Sequence, residues 1–242
     1  MAGLSKRFSE MGYKTPKYML ELAGKSLFYH SVISFKEYFD NQKFVFVFRD
    51  IPGMNARQYI TGELQAMGIS SYELVQLARE TKGQAETVKL ALESSIDKGG
   101  DTDITIFNID TFRPGFSFPK FKNSVDGYLE VFRGSGDNWS FVKSAEGTNQ
   151  VIETAEKNPI SNLCSTGLYY FKSAKEFLWA YEAYTSSGRS VKNEIYVAPL
   201  YNELISHGRD IRYDLIDRDD VIFCGVPQEY EDLKVKAQKN EF

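Results

Sequence analysis

Hydrophobic and polar positions in the first half of the chain follow two alternating patterns. Short runs of β-branched and aromatic residues bounded by turn residues predict strands at 43–48, 71–77, 102–108 and 126–132. Longer segments with apolar residues at helical spacing predict helices at 26–39, 55–68 and 84–96. Strands and helices in alternation form parallel βαβ units with right-handed crossovers. The pattern therefore predicts an α/β core.

The second half of the chain has a different pattern. Sheet with turns is predicted at 139–144, 150–157 and 163–171, and further strands at 211–216 and 220–225. Helices are predicted at 173–187, 197–208 and 227–238, the last of which has Pro227 in its first turn. The sequence shows neither an internal repeat nor a low-complexity linker. We therefore expect a mixed second layer within one domain spanning 1–242.

Composition narrows the class of protein. The chain has 242 residues, of which 42% are hydrophobic and 26% charged, as in soluble globular proteins. Its net charge is -4, and the absence of a basic block argues against nucleic acid as a partner. No apolar run approaches the roughly 20 residues that span a bilayer, and the first residues do not resemble a signal peptide.

Cysteine and histidine positions exclude two further kinds of site. Cys164 and Cys224 each lie in an apolar run, which argues against a disulfide framework and favours a reducing cytoplasm. His30 and His207 have no cysteine or histidine cluster around them, so a zinc site is not expected.

Two stretches near the start carry residues suited to phosphate. In AGLSKRF (2–8), Gly3 permits a tight turn, and backbone N–H groups of such a loop form an anion nest. Arg7 offers a bidentate grip on phosphate oxygens. In KTPKYMLELAGKSLF (14–28), Lys17 and Lys25 flank a short apolar segment. Together these cations favour a polyphosphate pocket, whereas each alone is compatible with a solvated surface.

These stretches together resemble the opening signature of the nucleotidyltransferases that activate sugar phosphates. That family has a loop of the form A-A-G-x-G-x-R-F, then P-K-x-L, then G-K-P-L. The resemblance continues over nearly the whole chain, in TKGQAETVKLAL (81–92), IFNID (106–110), VIETAEKNP (151–159), CSTGLYYF (164–171), VAPLYNELISHG (197–208) and FCGVPQEYEDL (223–233).

The resemblance implies a fold and a reaction. The fold is the three-layer α/β/α nucleotide-diphospho-sugar transferase type (GT-A-like), with a mainly parallel mixed sheet and halves for nucleotide (about 1–115) and acceptor (about 116–242). In the reaction, a phosphate oxygen of the acceptor attacks the α-phosphorus of a nucleoside triphosphate, and pyrophosphate leaves. Such chemistry needs in-line positioning and neutralised phosphate charge rather than a nucleophilic side chain.

The resemblance also implies roles for individual residues. The loop of Ala2, Gly3, Leu4, Ser5, Lys6 and Arg7 would hold the triphosphate, with Arg7 on the outer phosphates. Lys17 would contact phosphate near the α position. Gln84 would read the base edge beside Gly83. Asp110 would hold Mg²⁺, a cation that prefers carboxylate oxygen. Glu156, Lys157 and Gly167 would face the acceptor, with Lys157 on its phosphate.

Ordinary structural roles remain open for several of these residues. Asp110 is also compatible with a cap after the strand, and Glu156–Lys157 with a solvated pair. Gln84 suits the polar N-terminus of a helix. Lys25 fits the start of a helix.

Three departures from the family pattern affect the predicted site. Ser5 replaces the second glycine of the loop, and Lys6 replaces a small hydroxyl residue. The family has a further metal-binding aspartate two residues before its late Gly-Thr. Phe223 occupies that position here, so we consider Asp219 or Asp220 as the substitute. The apolar strand that precedes the loop in the family is absent before Met1. We expect Met1 to be an internal methionine of a longer reading frame, or this chain to be a shortened form, with upstream codons that encode a short apolar run. Polar codons or a stop there would contradict this hypothesis.

Three classes of function remain at this point. The first is a nucleotidyltransferase serving surface-glycan, capsule or lipopolysaccharide assembly, with phosphorylated sugars or choline phosphate as acceptors. The second is a GT-A-type glycosyltransferase, which would need Asp110 but neither the early loop nor Lys17. The third is a catalytically impaired relative that holds nucleotide without turnover. A C-terminal left-handed β-helix is not expected.

Overall fold

The computed structural model describes residues 1, 6–50, 53–95 and 101–239. Its helices are α1 (Lys6–Glu10), α2 (Leu27–Ile33), α3 (Ala56–Ala66), α4 (Gln84–Ser95), α5 (Ala174–Ser186), α6 (Tyr201–Ser206) and α7 (Pro227–Gln238). Its strands are β1 (Glu21–Leu22), β2 (Lys25–Ser26), β3 (Phe44–Phe48), β4 (Tyr72–Gln76), β5 (Ile104–Ile106), β6 (Thr111–Phe112), β7 (Gly127–Arg133), β8 (Ser140–Ser144), β9 (Val151–Glu156), β10 (Leu163–Phe171), β11 (Ile211–Leu215) and β12 (Ile222–Phe223). No helix in these ranges is long and apolar enough to cross a bilayer.

The predicted elements are confirmed in kind and order, but two predicted helices are interrupted. The helix predicted over 26–39 ends at Ile33 and is followed by a 3₁₀ turn over Lys36–Tyr38. At this helix end, the Ser34 hydroxyl donates to the His30 carbonyl and accepts from the Arg113 backbone N–H at 2.8 Å. The helix predicted over 197–208 begins as a 3₁₀ turn over Ala198–Leu200, where Pro199 lacks an N–H.

Residues 1–80, 108–117 and 220–242 form one compact unit. In it β3, α3 and β4 make a βαβ unit whose two strands pair in parallel, as the alternation of elements predicts. Aromatic side chains dominate its core: Phe28 and Phe48 are fully buried, and Phe28 lies 5.5 Å from Phe46 between ring centroids. The short pair of β6 and β12 is antiparallel and lies next to the candidate metal ligand.

Residues 81–107 and 118–219 form a second compact unit. Its sheet has the order β11-β7-β10-β8-β9, with β5 also paired to β10. Strand β10 is buried at every position and forms the centre of this sheet. Tyr201 of α6 stacks on Phe171 at 4.3 Å between ring centroids, and its hydroxyl contacts the carbonyls of Tyr128 and Tyr170. Helix α6 is thereby fixed to β7 and β10.

The α/β class with a mixed sheet is confirmed, but the balance of strand directions differs from the expectation. Among the described strands, β3–β4 and β11–β7 pair in parallel, and the other ladders are antiparallel. The reason is that β7 to β10 follow one another through connections too short for parallel crossovers. Within the described part of the chain, β3 and β5 each have a ladder partner on one side only. The upstream strand and the single-domain organisation with its two halves stay predictions.

Candidate functional site

Most of the predicted phosphate loop lies outside the described residues. This applies to Ala2, Gly3, Leu4 and Ser5, and also to the side chain of Lys6. Arg7 belongs to α1 and is exposed. The role of this loop therefore stays a prediction.

Lys17 and Asp110 come together although 93 residues separate them in sequence. Lys17 begins a 3₁₀ turn after Pro16, and the buried Tyr18 anchors that turn in the core. Asp110 lies in the turn between β5 and β6. The Lys17 ammonium donates to Asp110 Oδ2, and the two side chains are 24% and 18% exposed. Burial alone would raise the pKa of Asp110, but the neighbouring Lys17 holds it below its ordinary value, so the carboxylate is ionised.

The neighbourhood of Asp110 includes the position at which the family pattern has its second metal-binding aspartate. The Cys224 N–H donates to the Asp110 carbonyl at 2.8 Å, and Phe223 pairs with Thr111 in the β12–β6 register. An aspartate at 223 would therefore lie beside Asp110. Asp220 precedes β12, and its carbonyl accepts from Arg113 Nη1 at 3.2 Å. Metal binding by Asp220, or by Asp219 before it, stays a prediction.

Glu229 is a carboxylate near Asp110 that the sequence reading missed. Its Oε2 accepts from the N–H groups of Gly225 and Val226, at 2.8 and 3.2 Å. A Cβ added to Gly225 would lie 3.1 Å from Asp110 Oδ2 and 3.7 Å from Glu229 Oε2. The glycine thus lets the turn pass close to both carboxylates. The signal was present in sequence as a glutamate at the third position of α7, where it serves the helix start.

Among the described residues, no group of three or more histidine, cysteine, aspartate or glutamate side chains is arranged to hold a metal ion. Mg²⁺ commonly takes only one or two carboxylates and completes its shell with water and substrate phosphates. The half-buried, ionised Asp110 fits that requirement.

The turn before α4 is shaped by a close approach of backbone to backbone. Gly83 has φ of +118°, and a Cβ there would lie 2.5 Å from the Ile195 carbonyl oxygen. The Ala85 N–H donates to that carbonyl at 3.0 Å, and the Ile195 N–H donates to the Lys82 carbonyl at 2.6 Å. Gln84 is half-buried at the first position of α4. Base reading by Gln84 stays a prediction alongside its role as a helix-terminal residue.

Glu156 and Lys157 are not a solvated pair. The Glu156 side chain is 4% exposed, that of Lys157 is 20% exposed, and Lys157 Nζ lies 4.0 Å from Glu156 Oε1. The Ser140 hydroxyl donates to Glu156 Oε2. Burial raises the pKa of Glu156, against the opposing effects of Ser140 and Lys157. A buried carboxyl next to a partly exposed ammonium costs stability. Such arrangements, with shifted pKa values, are frequent at functional sites.

The raised pKa of Glu156 gives a testable dependence of stability on pH. Its folded pKa exceeds the unfolded value, near 4.5, so its stabilising contribution is complete below that value and is lost as pH rises through the folded pKa. We expect Glu156→Gln to have a higher unfolding midpoint than wild type at pH 8 and an equal one near pH 4. The glutamine has no charge to bury and still accepts from Ser140. Thermal unfolding across this pH range measures the difference.

Glu153→Gln is the matched control, because Glu153 is exposed and its ion pair with Lys143 spans 3.7 Å. It should leave the pH profile unchanged. A Glu156→Gln variant that is less stable than wild type at pH 8 would contradict the effect attributed to burial.

Gly167 lies where the β10 ladder changes register. The register with β7 shifts between Ser165 and Tyr169, and Gly167 has φ of +92° there. Its N–H bonds to the Ser165 hydroxyl at 3.1 Å. The residue is buried, and a role in the acceptor pocket stays a prediction.

Tyr196 and Glu194 also join the acceptor-side group and were missed in the sequence. Lys157 Nζ donates to the Tyr196 hydroxyl, which in turn donates to Glu194 Oε2. The only sequence signal was a charged and an aromatic residue two positions apart before the VAPLYNELI segment, a pattern with no specific meaning by itself.

The described candidate residues thus form two groups. Lys17, Asp110, Gly225 and Glu229 belong to the first compact unit. Gly83, Gln84, Glu156, Lys157, Gly167, Glu194 and Tyr196 belong to the second. Lysines held next to carboxylates, with no nucleophile activated by a base among these residues, suit binding of phosphates more than covalent catalysis.

Comparisons with known proteins give a close relative among the solved structures. No family model matches the chain, and no curated protein matches it. The crystal structure of a nucleoside-diphosphate-sugar pyrophosphorylase from Vibrio cholerae RC9 is 49% identical to this chain, with a TM-score of 0.91. The match covers 97% of this chain and 97% of that chain.

Two distant structures share the fold. The inositol-1-phosphate CTP transferase of T. maritima is 16% identical over 98% of this chain and 94% of its own, with a TM-score of 0.70. The CTP:phosphocholine cytidylyltransferase of Streptococcus pneumoniae is 14% identical over 97% of this chain and 95% of its own, with a TM-score of 0.69.

Proposed function

Because this chain belongs to the family of nucleoside-diphosphate-sugar pyrophosphorylases and related nucleotidyltransferases, we propose that it joins a nucleoside triphosphate to a phosphorylated small-molecule acceptor and releases pyrophosphate. The observation that supports this most is the ion pair of Lys17 with Asp110. The family's P-K and strand-end aspartate motifs meet there in space. A glycosyltransferase would not need this lysine.

In the proposed reaction, a phosphate oxygen of the acceptor attacks the α-phosphorus. A new P–O bond forms to the acceptor, the bond from the α-phosphorus to the bridging oxygen breaks, and pyrophosphate leaves with that electron pair. Negative charge concentrates on the α-phosphoryl oxygens in the transition state. The Lys17 ammonium stabilises that charge, and its pairing with Asp110 fixes it in place beforehand.

We propose that Asp110 holds Mg²⁺ when substrates bind. The ion would neutralise phosphate charge and help to orient the triphosphate. The paired state of Asp110 keeps the carboxylate ionised and ready for a cation. Glu229 stays bound to the turn at Gly225 and contributes negative charge nearby.

The acceptor phosphate is assigned to Lys157. Its ammonium is partly exposed beside the buried Glu156, and a phosphate would bring negative charge to this ammonium. We expect Lys157→Met to raise the acceptor KM about 10- to 100-fold, the loss of one charge-assisted hydrogen bond. The KM for the nucleotide should stay within twofold. Steady-state kinetics with each substrate varied in turn measures both.

Lys143→Met is the control for this substitution, since Lys143 is on the neighbouring strand β8 with its side chain 52% exposed. Its kinetics should match wild type. An unchanged acceptor KM in Lys157→Met would remove Lys157 from the acceptor site.

The experiment that tests the function is pyrophosphate release by the chain with Mg²⁺. Each of the four ribonucleoside triphosphates and thymidine triphosphate is paired with a panel of sugar 1-phosphates and choline phosphate. Release that requires one nucleotide, one acceptor and Asp110 supports the proposal and identifies the substrates. Nucleotide that binds in a direct binding assay without release would instead support the impaired relative.

We further propose a cytoplasmic enzyme whose product supplies the assembly of a surface glycan, because nucleoside-diphosphate sugars are activated donors for glycosyl transfer. Mass spectrometry of the product tests this. A nucleotide-activated sugar as product supports the role in glycan assembly. A nucleotide-activated choline would show instead that the acceptor is not a sugar.

A further inference from the structure

The backbone of Lys157 adopts a conformation that side chains disfavour. Its φ is +54°, in the left-handed region where residues other than glycine are uncommon. The Lys157 N–H donates to the Trp139 carbonyl at 2.9 Å directly after β9 ends. Such conformations persist where the surroundings impose them, and they are frequent at functional sites.

The Lys157 side chain is held on one side by Tyr196. Its Nζ donates to the Tyr196 hydroxyl and lies 4.4 Å from the centroid of the same ring. Glu156 Oε1 lies 4.0 Å from the same Nζ. A flexible four-carbon side chain is thereby restricted to one position.

The direction of these hydrogen bonds is fixed by Glu194. A phenol has one hydrogen to donate, and the Tyr196 hydroxyl donates it to Glu194 Oε2. The oxygen lone pairs of Tyr196 are therefore turned toward the lysine, which can only donate. Ammonium, hydroxyl and carboxylate form a chain in which each member orients the next.

Backbone contacts hold the segment that carries this chain. Glu194 and Val191 exchange backbone hydrogen bonds of 2.9 Å around Lys192 and Asn193, whose φ values of +50° and +63° match a tight type I′ turn. Ile195 is 6% exposed and is bonded through both its N–H and its carbonyl to the turn at 82–85. Tyr196 thus projects from a fixed backbone.

We propose that Tyr196, oriented by Glu194, is a positioning residue that holds the Lys157 ammonium in place for the acceptor phosphate. The inference rests on the proposed function of Lys157. Tyr196 acts on the acceptor through Lys157, so removing its hydroxyl should affect acceptor binding only while the lysine is present.

The test is a double-mutant cycle on the acceptor KM. The substrates are the nucleoside triphosphate and the sugar 1-phosphate or choline phosphate that together release pyrophosphate in the assay described above. We expect Tyr196→Phe to raise the acceptor KM about 3- to 10-fold, the effect of one lost hydrogen bond. Its kcat and nucleotide KM should stay within twofold. Lys157→Met combined with Tyr196→Phe should match Lys157→Met alone, since the two groups act as a unit.

Two further variants support the cycle. Glu194→Ala changes an exposed residue and should raise the acceptor KM in the same direction as Tyr196→Phe, with the ring left in place. Tyr213→Phe removes a hydroxyl whose contact with the Thr148 carbonyl spans 3.5 Å, and it should be silent.

The outcomes separate the inference from the function on which it rests. If Tyr196→Phe and Lys157→Met have additive effects on the acceptor KM, the positioning role is overturned. The same follows if Lys157→Met raises the acceptor KM and Tyr196→Phe leaves it unchanged. If Lys157→Met leaves the acceptor KM unchanged, or if no pair in the panel releases pyrophosphate, the proposed function fails and the inference fails with it.

Discussion

Replacing Lys17 with methionine should lower kcat about 10²- to 10³-fold, the usual loss when one group that stabilises transition-state charge is removed. Methionine keeps the length and apolar character of the side chain, so the 3₁₀ turn over Lys17–Met19 should persist. Asp110→Asn should lower turnover to a similar extent, because a neutral amide neither attracts Mg²⁺ as strongly nor holds the lysine. Initial rates of pyrophosphate release over a range of Mg²⁺ concentrations measure both effects.

Lys14→Met is the control for Lys17→Met. Lys14 is exposed, lies three residues earlier in the chain and precedes the 3₁₀ turn. Its removal should leave kcat unchanged. The double variant Lys17→Met with Asp110→Asn should lose less than the product of the two single losses, since the residues act as a pair. Wild-type turnover in Lys17→Met would contradict the assigned role.

Gly83→Ala should have the second large effect, on both stability and nucleotide binding. A Cβ at this position would lie 2.5 Å from the carbonyl oxygen and 2.8 Å from the nitrogen of Ile195, and alanine disfavours φ of +118°. Backbone strain of this kind costs about 1–3 kcal/mol. The strain is relieved only if the turn at Gly83 moves away from the backbone of Ile195. We expect a lower denaturation midpoint in urea and a higher KM for the nucleotide.

The acceptor KM should rise as well in Gly83→Ala, because Ile195 lies between Glu194 and Tyr196. Gly62→Ala is the matched control: Gly62 lies inside α3 with no atom within 4 Å of an added Cβ. That substitution should stabilise the protein by about 0.5–1 kcal/mol, since alanine favours a helix over glycine. A Gly83→Ala protein with wild-type stability would show that the turn has room to move.

Local patterns predicted the elements well where the hydrophobic signal was long. Segments such as 84–96 and 173–187 became α4 and α5 almost unchanged, because a helix needs only its own periodicity and a surface on which to pack. The predicted helix over 26–39 ends at Ile33, and Ser34 directly after it is bonded to Arg113, which is far away in sequence. No local pattern contains that contact.

The resemblance to sugar-phosphate nucleotidyltransferases is confirmed by a relative that is 49% identical over nearly the whole chain. The resemblance predicted functional roles for Lys17, Asp110, Glu156 and Lys157. The structure pairs Lys17 with Asp110, and it buries Glu156 instead of leaving it solvated. It also adds Glu229, Glu194 and Tyr196, residues whose types are common in any helix start or strand.

The sequence by itself determined the class of fold, the order of the elements, the family and the motif residues, because each of these depends on periodicity or on residues close together along the chain. Tertiary structure decided which of those residues meet, how exposed they are and what their charges do. Lys17 reaches Asp110, and Tyr196 reaches Lys157, only because packing brings distant segments within hydrogen-bonding distance. The pKa shifts of Asp110 and Glu156 have the same origin, since burial and a neighbouring charge exist only in the folded chain.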